Sequence, residues 1–254
     1  MSRIVFDTET TGVDDGSRLL ELAAVALDDK DQVVGEFAAL ANPGMPLPAD
    51  VGGVNGITAD MLADAPGTRD VLTRWLEWLG EHGATAAIAH FAPFDCGILG
   101  WEFGRVGLAL PPLRVIDTCA MARTIGETKK NSLVALVEHY GIQRQGTAHR
   151  AMSDVRACLD YYRIAKAKTK AQDEAWPRSY WHPTALPAHL AALPEMVAAG
   201  APFRFVYQDA KGNLTERTIT PLGYAETAKG ISFHGWCHLR NERRNFLAER
   251  VVVG

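Results

Sequence analysis

A short strand that carries two acidic side chains, close to the start of the chain, constrains the fold most. Residues 4–6 are Ile-Val-Phe, a composition typical of a buried strand, and Asp7 and Glu9 follow at its end. Side chains on a strand share a face every two residues, so both carboxylates point the same way. Such a pair repels itself unless a cation lies between its members, and hard oxygen ligands suit Mg²⁺ or Mn²⁺. Taken alone, the pair is also compatible with two solvated acids at a strand end.

The pattern after this strand predicts a mixed α/β sheet. An apolar run over residues 19–27 and a strand pattern over residues 33–40 flank a polar turn, which predicts an antiparallel hairpin beside the first strand. Two further buried strands, over residues 85–89 and 113–118, alternate with helical patterns. Helices are predicted after a Thr58 cap, over residues 68–79 after a Thr68 cap, and after Asp95, Thr118, Ser132 and His149. We therefore expect five strands with helices on the faces of the sheet.

The chain changes character after this region. Residues 1–167 are predicted to form the α/β domain, and residues 168–200, rich in Lys and then Pro, a linker with a short helix over 190–198. From Phe203 onward apolar and polar residues alternate, so residues 201–254 are predicted to form a small all-β module.

Composition excludes several classes of protein. The 254 residues are 47% hydrophobic and 22% charged, and neither a membrane span nor a signal peptide is predicted. Four dispersed cysteines (Cys96, Cys119, Cys158 and Cys237) indicate free thiols in a reducing cytoplasm. A zinc site at Cys237, His238 and His234 is disfavoured because a full ligand set is missing. The net charge is −4. Acidic residues outnumber basic ones in the α/β region, whereas the tail is weakly basic.

Further candidate site residues stand where strands end or helices begin. Asp95 follows the fourth strand, Asp154 lies in the first turns of the last helix, and His149 lies five residues before it. Open α/β sheets place their sites at such an edge, so these side chains are expected to meet Asp7 and Glu9. Two neighbouring polar residues are expected to be structural: Asp117, since the following Thr118 resembles a helix cap, and His90.

Three stretches then give a specific resemblance. Residues 6–12 (Phe-Asp-Thr-Glu-Thr-Thr-Gly), 90–95 (His-Phe-Ala-Pro-Phe-Asp) and 149–155 (His-Arg-Ala-Met-Ser-Asp-Val) resemble the three motifs of the DEDDh 3′–5′ exonucleases. That family includes the proofreading epsilon subunit of bacterial replicative polymerase, exonuclease X, ribonuclease T and the TREX enzymes. Residues 54–58 and 131–133 resemble supporting segments of the same family. The resemblance implies a ribonuclease-H-like fold over residues 1 to about 165.

The resemblance also implies roles for the five motif residues. Two divalent ions, Mg²⁺ or Mn²⁺, would be bridged by Asp7. Glu9 and Asp154 would complete the water-activating site, and Asp95 would hold the second ion directly or through water. His149 would be the general base, since its ordinary pKa of about 6.5 suits proton acceptance near neutrality.

Contacts to the terminal nucleotide are expected near these motifs. Thr10, Thr11 and Gly12 are expected to offer backbone N–H groups to it. Ile57 or Phe94 is expected to wedge or stack on bases, with core packing as the alternative for both.

The sequence departs from the family pattern at two positions. Phe91 stands where the second motif usually has Asn, and Asn55 stands where His usually precedes Gly-Ile. Neither residue is one of the acids, so the departures concern fit and preference at the terminal nucleotide rather than metal binding.

The tail resembles WYL modules, which are small SH3-like barrels. The resemblance is carried by Arg217 with Pro221 and by residues 235–240 and 243–246, although the tyrosine of the Trp-Tyr-Leu signature is absent. It implies that Arg217, Arg240 and Arg244 bind a nucleotide or a single strand. The alternative is a solvated basic face on a packing module.

The sequence therefore predicts a 3′–5′ exonuclease that releases nucleoside 5′-monophosphates, with single-stranded DNA ends as first choice. Trimming of RNA 3′ ends, a non-catalytic adaptor that binds nucleic-acid ends, and a proofreading or repair subunit in a polymerase complex are the alternatives. No membrane partner is expected, and the sequence indicates no oligomeric state.

Overall fold

The computed structural model describes residues 2–13, 17–48, 51–111, 113–146, 148–169, 186–227 and 230–252. The chain divides into two compact units. The first unit comprises residues 1–12, 18–95 and 113–179, and the second comprises residues 13–17, 96–112 and 180–254.

A mixed five-stranded sheet forms the centre of the first unit, as predicted. Its strands are β1 (Ser2–Thr10), β2 (Leu19–Leu27), β3 (Val33–Leu40), β4 (Ala84–Ala89) and β5 (Arg114–Asp117), in the order β3-β2-β1-β4-β5. The first three strands are antiparallel, whereas β4 pairs parallel with β1 and β5 parallel with β4. The central position of β1 explains its apolar run, because a central strand is covered on both faces.

Seven helices lie in the described part of the chain up to residue 169, and the fourth begins in the first unit and continues in the second. They are α1 (Val51–Asn55), α2 (Ala59–Ala63), α3 (Thr68–Glu81), α4 (Ala92–Val106), α5 (Thr118–Ile125), α6 (Leu133–Tyr140) and α7 (Ala151–Thr169). Thr58 caps α2 and Ser132 caps α6, as predicted. The predicted Thr68 cap of α3 is wrong: Gly67 is the N-cap residue, and Thr68 is a buried residue of the first turn.

Helix α7 packs against the sheet and so fixes where its own N-terminus lies. Its buried face includes Val155, Cys158, Leu159 and Tyr162, which contact core residues of the strands such as Val25. The spacing of these positions is the helical repeat that the sequence shows. Each fully buried aliphatic or aromatic side chain contributes roughly 1.5–3 kcal/mol, so several together hold the helix firmly on the sheet.

The second unit contains an all-antiparallel sheet, as predicted for the tail. Its strands are β6 (Phe203–Gln208), β7 (Leu214–Thr227), β8 (Gly230–Cys237), β9 (Glu242–Leu247) and β10 (Val251–Val252), in the order β10-β6-β7-β8-β9. Phe205, Phe233 and Phe246 lie at its core with ring centroids 5.1–5.6 Å apart. Closure of this sheet into an SH3-like barrel stays a prediction.

Part of the predicted linker packs into the second unit. A 3-10 turn (Ala188–Leu190) is followed by α8 (Leu193–Ala199), and Leu190, Leu193 and Val197 are buried in the core. Residues 170–185 of the predicted linker, with Pro177 and Pro183, lie outside the described residues. The domain boundaries stay a prediction.

All four cysteines are free and buried. In the described ranges, no helix combines the length and the apolar character that crossing a bilayer requires.

Candidate active site

Three carboxylates from two elements converge at one edge of the first sheet. Asp7 and Glu9 project from β1, and Asp154 lies in the first turn of α7. Each contributes one carboxylate oxygen to a group in which these atoms all lie within 4.8 Å of one another. Glu9 is buried, and the other two acids are half-buried. Three carboxylate oxygens at this separation are a ligand set that fits a hard divalent cation.

Asp95 lies beside this group rather than within it. Asp95 is buried in the first turn of α4, where its Oδ1 accepts hydrogen bonds from the backbone N–H of Thr8 at 2.9 Å and from the Thr8 hydroxyl at 2.7 Å. Since Thr8 stands between Asp7 and Glu9, these bonds tie the carboxylate to the strand that carries both acids. Its charge also raises the pKa of Asp7 and of Glu9, which places it within electrostatic reach of the cluster.

The carboxylates have strongly shifted pKa values because burial penalises their charged forms. Burial is the largest cause at Glu9, whose pKa rises to about 8, and Asp154, Glu21 and Asp95 raise it further. Burial also raises the pKa of Asp95 to about 7, against the opposing hydrogen bonds from Thr8. The pKa of Asp7 is raised well above its ordinary value by burial and by the neighbouring acids. A bound divalent cation would relieve this repulsion and keep the carboxylates ionised.

His149 lies next to the acids on a strained piece of backbone. It is exposed and has φ of 58°, a left-handed conformation that is uncommon for residues other than glycine. Its backbone N–H donates to Asp154 Oδ2 at 3.2 Å, and α7 begins two residues later. The structure therefore places the backbone of His149 beside Asp154, on a segment outside the helix.

Arg144 provides a positive charge beside the cluster that the sequence did not reveal. Its Nη1 forms an ion pair with Asp154 Oδ1 and donates to Ser153 Oγ at 3.4 Å. Arg144 precedes α7 in a loop with no motif of its own, so no sequence signal distinguishes it from other surface arginines.

An ion pair between Glu21 and Arg150 also adjoins the cluster. Glu21 on β2 lies directly opposite Glu9 in the β1–β2 pairing, and the Arg150 guanidinium donates to both of its carboxylate oxygens, at 2.9 and 3.1 Å. The backbone N–H of Ala151, the first residue of α7, donates to the same carboxylate at 3.1 Å. A sequence signal existed here, because Glu21 is the one charged residue in an otherwise apolar run of nine.

Asp117 has the structural role expected of it, but the predicted cap is wrong. Asp117 itself, not Thr118, is the N-cap residue of α5, and its Oδ1 accepts the N–H of Cys119 at 2.9 Å. The same oxygen accepts the N–H of Phe91 at 2.9 Å and that of Ala92 at 3.4 Å, which fixes the start of α4. Asp117 thereby supports the helix whose first turn carries Asp95.

His90 is also structural in its contacts, as expected. Its Nδ1 lies 2.9 Å from Thr118 Oγ1 and its Nε2 lies 2.9 Å from the carbonyl oxygen of Asn131. Burial lowers the pKa of this imidazole, so its neutral form is favoured.

The two departures from the family pattern have defined surroundings. Phe91 is half exposed and has φ of 61°, a conformation that Asn tolerates better than a bulky residue does. Asn55 is buried, accepts the N–H of Ile57 at 3.0 Å, and forms a side-chain hydrogen bond that lowers the pKa of Glu9. Asn55 is therefore in contact with the acid cluster, a role that the sequence alone did not assign.

The residues expected to contact a terminal nucleotide differ in exposure and in whether their backbone N–H is already hydrogen-bonded within the protein. Thr10 and Gly12 are half-buried at the end of β1. The prediction that Thr11 offers its N–H is wrong for this structure, because that group donates to the Arg18 carbonyl at 2.9 Å. Phe94 is half-buried in the first turn of α4.

Ile57, the other apolar candidate, lies in the core. It is fully buried with Leu20 and Leu62, which agrees with the packing alternative.

The three candidate arginines of the tail differ in exposure. Arg217 on β7 is buried, and its Nε donates to Thr215 Oγ1 at 3.1 Å. Arg240 is exposed, and the exposed Arg244 on β9 pairs with Glu242 at 2.7 Å. Two of the three guanidinium groups are therefore accessible to a phosphate.

Family models match both parts of the chain. A model described as an exonuclease matches residues 4–162, and a WYL-domain model matches residues 188–252. Curated relatives include the PolC-type DNA polymerase III of Staphylococcus haemolyticus strain JCSC1435 and that of Staphylococcus aureus, each 36% identical over 156 residues. The match covers 61% of this chain and 10% of each relative, so the chain spans about a tenth of their length.

Solved structures are similar to the chain as well. Exonuclease X in complex with 5′-overhanging duplex DNA is 26% identical, with a TM-score of 0.54 over 68% of this chain and 95% of that protein. Two others, at 15–16% identity, show the fold alone. The nuclease domain of 3′hExo, a DEDDh member bound to rAMP, has a TM-score of 0.59 over 70% of this chain and 96% of that one. Escherichia coli exonuclease I with a dT13 oligonucleotide has a TM-score of 0.61 over 92% of this chain and 55% of that one.

Proposed function

Since the chain belongs to the exonuclease family through residues 4–162 and carries a WYL domain over residues 188–252, we propose that it is a metal-dependent 3′–5′ exonuclease acting on DNA. Single-stranded 3′ ends are the preferred substrate, and nucleoside 5′-monophosphates are the products. The observation that carries this proposal is the convergence of Asp7, Glu9 and Asp154 oxygens within 4.8 Å of one another.

The donor set supports a pair of divalent ions, Mg²⁺ or Mn²⁺, as the cofactor. Such ions, when bound, make water nucleophilic near neutral pH and stabilise the departing 3′-oxygen. Asp7 is the residue suited to bridge them, since the charges of Glu9, Asp95 and Asp154 all raise its pKa. Glu9 and Asp154 would hold one ion with it, and Asp95 the other, directly or through water.

His149 is proposed to take the proton from the attacking water. The water oxygen forms a bond to phosphorus, the bond from phosphorus to the 3′-oxygen breaks, and the imidazole holds the proton that leaves the water. An exposed ring outside the helix can approach and leave the substrate, as a general base must do once per turnover. Its backbone bond to Asp154 keeps it beside the acids.

Labelled oligonucleotides test the proposed reaction. With Mg²⁺ or Mn²⁺ present, a 3′-labelled strand should release labelled mononucleotide at once, whereas a 5′-labelled strand should shorten stepwise, and EDTA should stop both. His149→Ala should reduce turnover by a factor of about 100 or more while Mn²⁺ binding, measured by calorimetry, stays within about threefold. His139→Ala, at an exposed histidine on α6, is the matched control and should leave turnover unchanged. Intact strands with every metal and strand tested would contradict the proposal and favour an adaptor that only binds ends.

Two further questions are whether the substrate is DNA or RNA and in which pathway the protein acts. The DNA-bound exonuclease X and the PolC-type relatives support DNA and a link to a polymerase, while the 3′hExo complex with rAMP supports RNA 3′-end trimming as the second candidate. Contacts to the 2′-hydroxyl decide between DNA and RNA. Degradation of matched single-stranded DNA and RNA at equal concentration measures the preference directly, and a faster rate on RNA would reverse the first choice.

The WYL domain is proposed to add affinity for the nucleic-acid strand. Separately, a cytoplasmic location of the protein stays a prediction. Arg240 and Arg244 are accessible, and guanidinium groups bind phosphates through two parallel hydrogen bonds. The double substitution Arg240→Ala and Arg244→Ala should weaken binding and lower the salt-dependence slope by about 1–2. Arg204→Ala, at an exposed arginine paired with Glu216, is the control. An unchanged slope in the double variant would remove this role.

A further inference from the structure

We infer that Arg150 and Glu21 are positioning residues for proton transfer, because together they fix the backbone that carries His149. The inference rests on the exonuclease function proposed above and goes beyond it by assigning a task to an ion pair outside the acid cluster. Neither residue is placed among the groups that touch the metal or the substrate.

The geometry of the pair ties two elements together at the site. Arg150 Nη2 lies 2.9 Å from Glu21 Oε1 and Arg150 Nε lies 3.1 Å from Glu21 Oε2, the two-bond geometry that gives an arginine–carboxylate pair its direction. Glu21 Oε2 also accepts the N–H of Ala151 at 3.1 Å. One buried carboxylate on β2 thus binds both the residue after His149 and the first residue of α7.

This arrangement supplies what the backbone at His149 requires. A residue other than glycine held at a positive φ costs free energy, and it persists only where its surroundings fix it. Fixed points lie on both sides of the strained residue: its own N–H is bound by Asp154, and the next two residues are bound by Glu21. Without the second point, the imidazole loses a defined position relative to the water that it must deprotonate.

The ion pair also compensates the charge of Glu21, one of two carboxylates that face each other across neighbouring strands. Glu21 lies opposite Glu9 across the β1–β2 ladder, and both are buried, so two carboxylates directly opposite would repel each other. Arg150 supplies the opposite charge that Glu21 needs in order to stay ionised while it holds the His149 segment. Exposed ion pairs contribute little to stability, but Glu21 is only 6% exposed. Loss of Arg150 would therefore leave a buried carboxylate without its cationic partner.

The same helix carries a second ion pair that serves as a matched control. Arg156 on α7 pairs with Glu36 on β3 at 3.1 Å, with both side chains well exposed. Arg156→Met therefore removes an arginine–glutamate contact between α7 and the same sheet, together with a 2.7 Å bond to the Gln145 side chain, and leaves the bonds of Glu21 to Arg150 and Ala151 in place.

The test compares Arg150→Met, Arg150→Lys and Glu21→Gln with Arg156→Met in the full chain, on 3′-labelled single-stranded DNA. We expect Arg150→Met to lower kcat by about 10- to 100-fold with KM and the Kd for Mn²⁺ within about threefold, because positioning and not binding is lost. Arg150→Lys, which keeps the charge, should recover part of kcat, and Arg156→Met should match the wild type. Should Arg150→Met fail to fold, Arg150→Lys and Glu21→Gln are compared with Arg156→Met instead.

A double-mutant cycle with His149→Ala shows whether the pair acts through the imidazole. In the His149→Ala background, Arg150→Met should change the residual rate by less than about threefold, since no base is left to position. An equal loss in both backgrounds, a wild-type kcat for Arg150→Met, or a parallel loss of Mn²⁺ affinity would overturn the inference. Wild-type turnover in His149→Ala alone would instead contradict the role of that residue in the proposed function.

Discussion

We predict from the acid cluster that the free energy of unfolding of the metal-free protein falls as pH rises above 6.5. Burial and neighbouring acids raise the pKa of Glu9 to about 8 and burial raises that of Asp95 to about 7, whereas in the unfolded chain both ionise near their ordinary pKa values of 4.5 and 3.8. The folded state therefore holds more protons than the unfolded state between these limits, so stability falls as pH rises through that window and levels off above about 8. His90 has a lowered pKa, which adds an opposite slope only below about 6.5.

The magnitude follows from proton linkage. Between pH 6.5 and pH 8, ionising Glu9 and Asp95 in the fold costs about 2 kcal/mol together, which corresponds to a drop in Tm of about 4–8 °C for a domain of this size. Saturating Mn²⁺ should cancel this loss, because a cation bound to the ionised carboxylates stabilises the folded state by about 2.7 kcal/mol at 100 times its Kd. The stabilisation by Mn²⁺ should be larger at pH 8 than at pH 6.5, where protons compete for the same oxygens.

Differential scanning calorimetry with EDTA, and then with Mn²⁺, across pH 6.5–8 measures both effects. Glu9→Gln is the control for the cluster, since it removes the main titrating group and should flatten the metal-free slope. Glu36→Gln, at an exposed acid on β3, should leave the slope unchanged. Metal-free stability that stays level or rises between pH 6.5 and pH 8 would refute the reasoning.

Three substitutions test the support around the cluster. Phe91→Asn should stabilise the protein by up to about 1 kcal/mol in urea denaturation, because Asn tolerates φ of 61° better; a loss of stability would contradict this. Asp117→Ala should cost about 2–4 kcal/mol in the same assay, since three N–H donors lose their acceptor, and a cost below about 0.5 would speak against that role. Thr8→Val removes the hydroxyl that donates to Asp95, so the pKa of that carboxyl should rise further and calorimetric Mn²⁺ affinity should fall by about threefold or more; unchanged affinity would exclude this contribution.

Much of the first unit followed from local patterns. The continuous apolar runs of β1 and β2, the Thr58 and Ser132 caps and the inward face of α7 all reflect interactions between residues close together in the chain. The prediction of Thr118 as the α5 cap was wrong even though the capping bond, from the Cys119 N–H to Asp117, is local. Local patterns could not show that the same carboxylate also accepts N–H groups from the start of α4, some 25 residues away.

The sequence by itself determined the mixed sheet and the family, because these depend on residue types at short spacings, and it supplied the five motif residues as candidates for the site. Tertiary structure alone decided that Asp7, Glu9 and Asp154 share one small volume, since α7 must pack on the sheet to bring Asp154 to β1, and that Asp95 is tied to β1 through Thr8. It also decided that Glu21 meets Arg150 across 129 residues. The single charge in the apolar run of β2 marks Glu21, but local periodicity does not reveal its partner, because the pairing is fixed by the register of β2 and the position of α7 rather than by neighbouring residues.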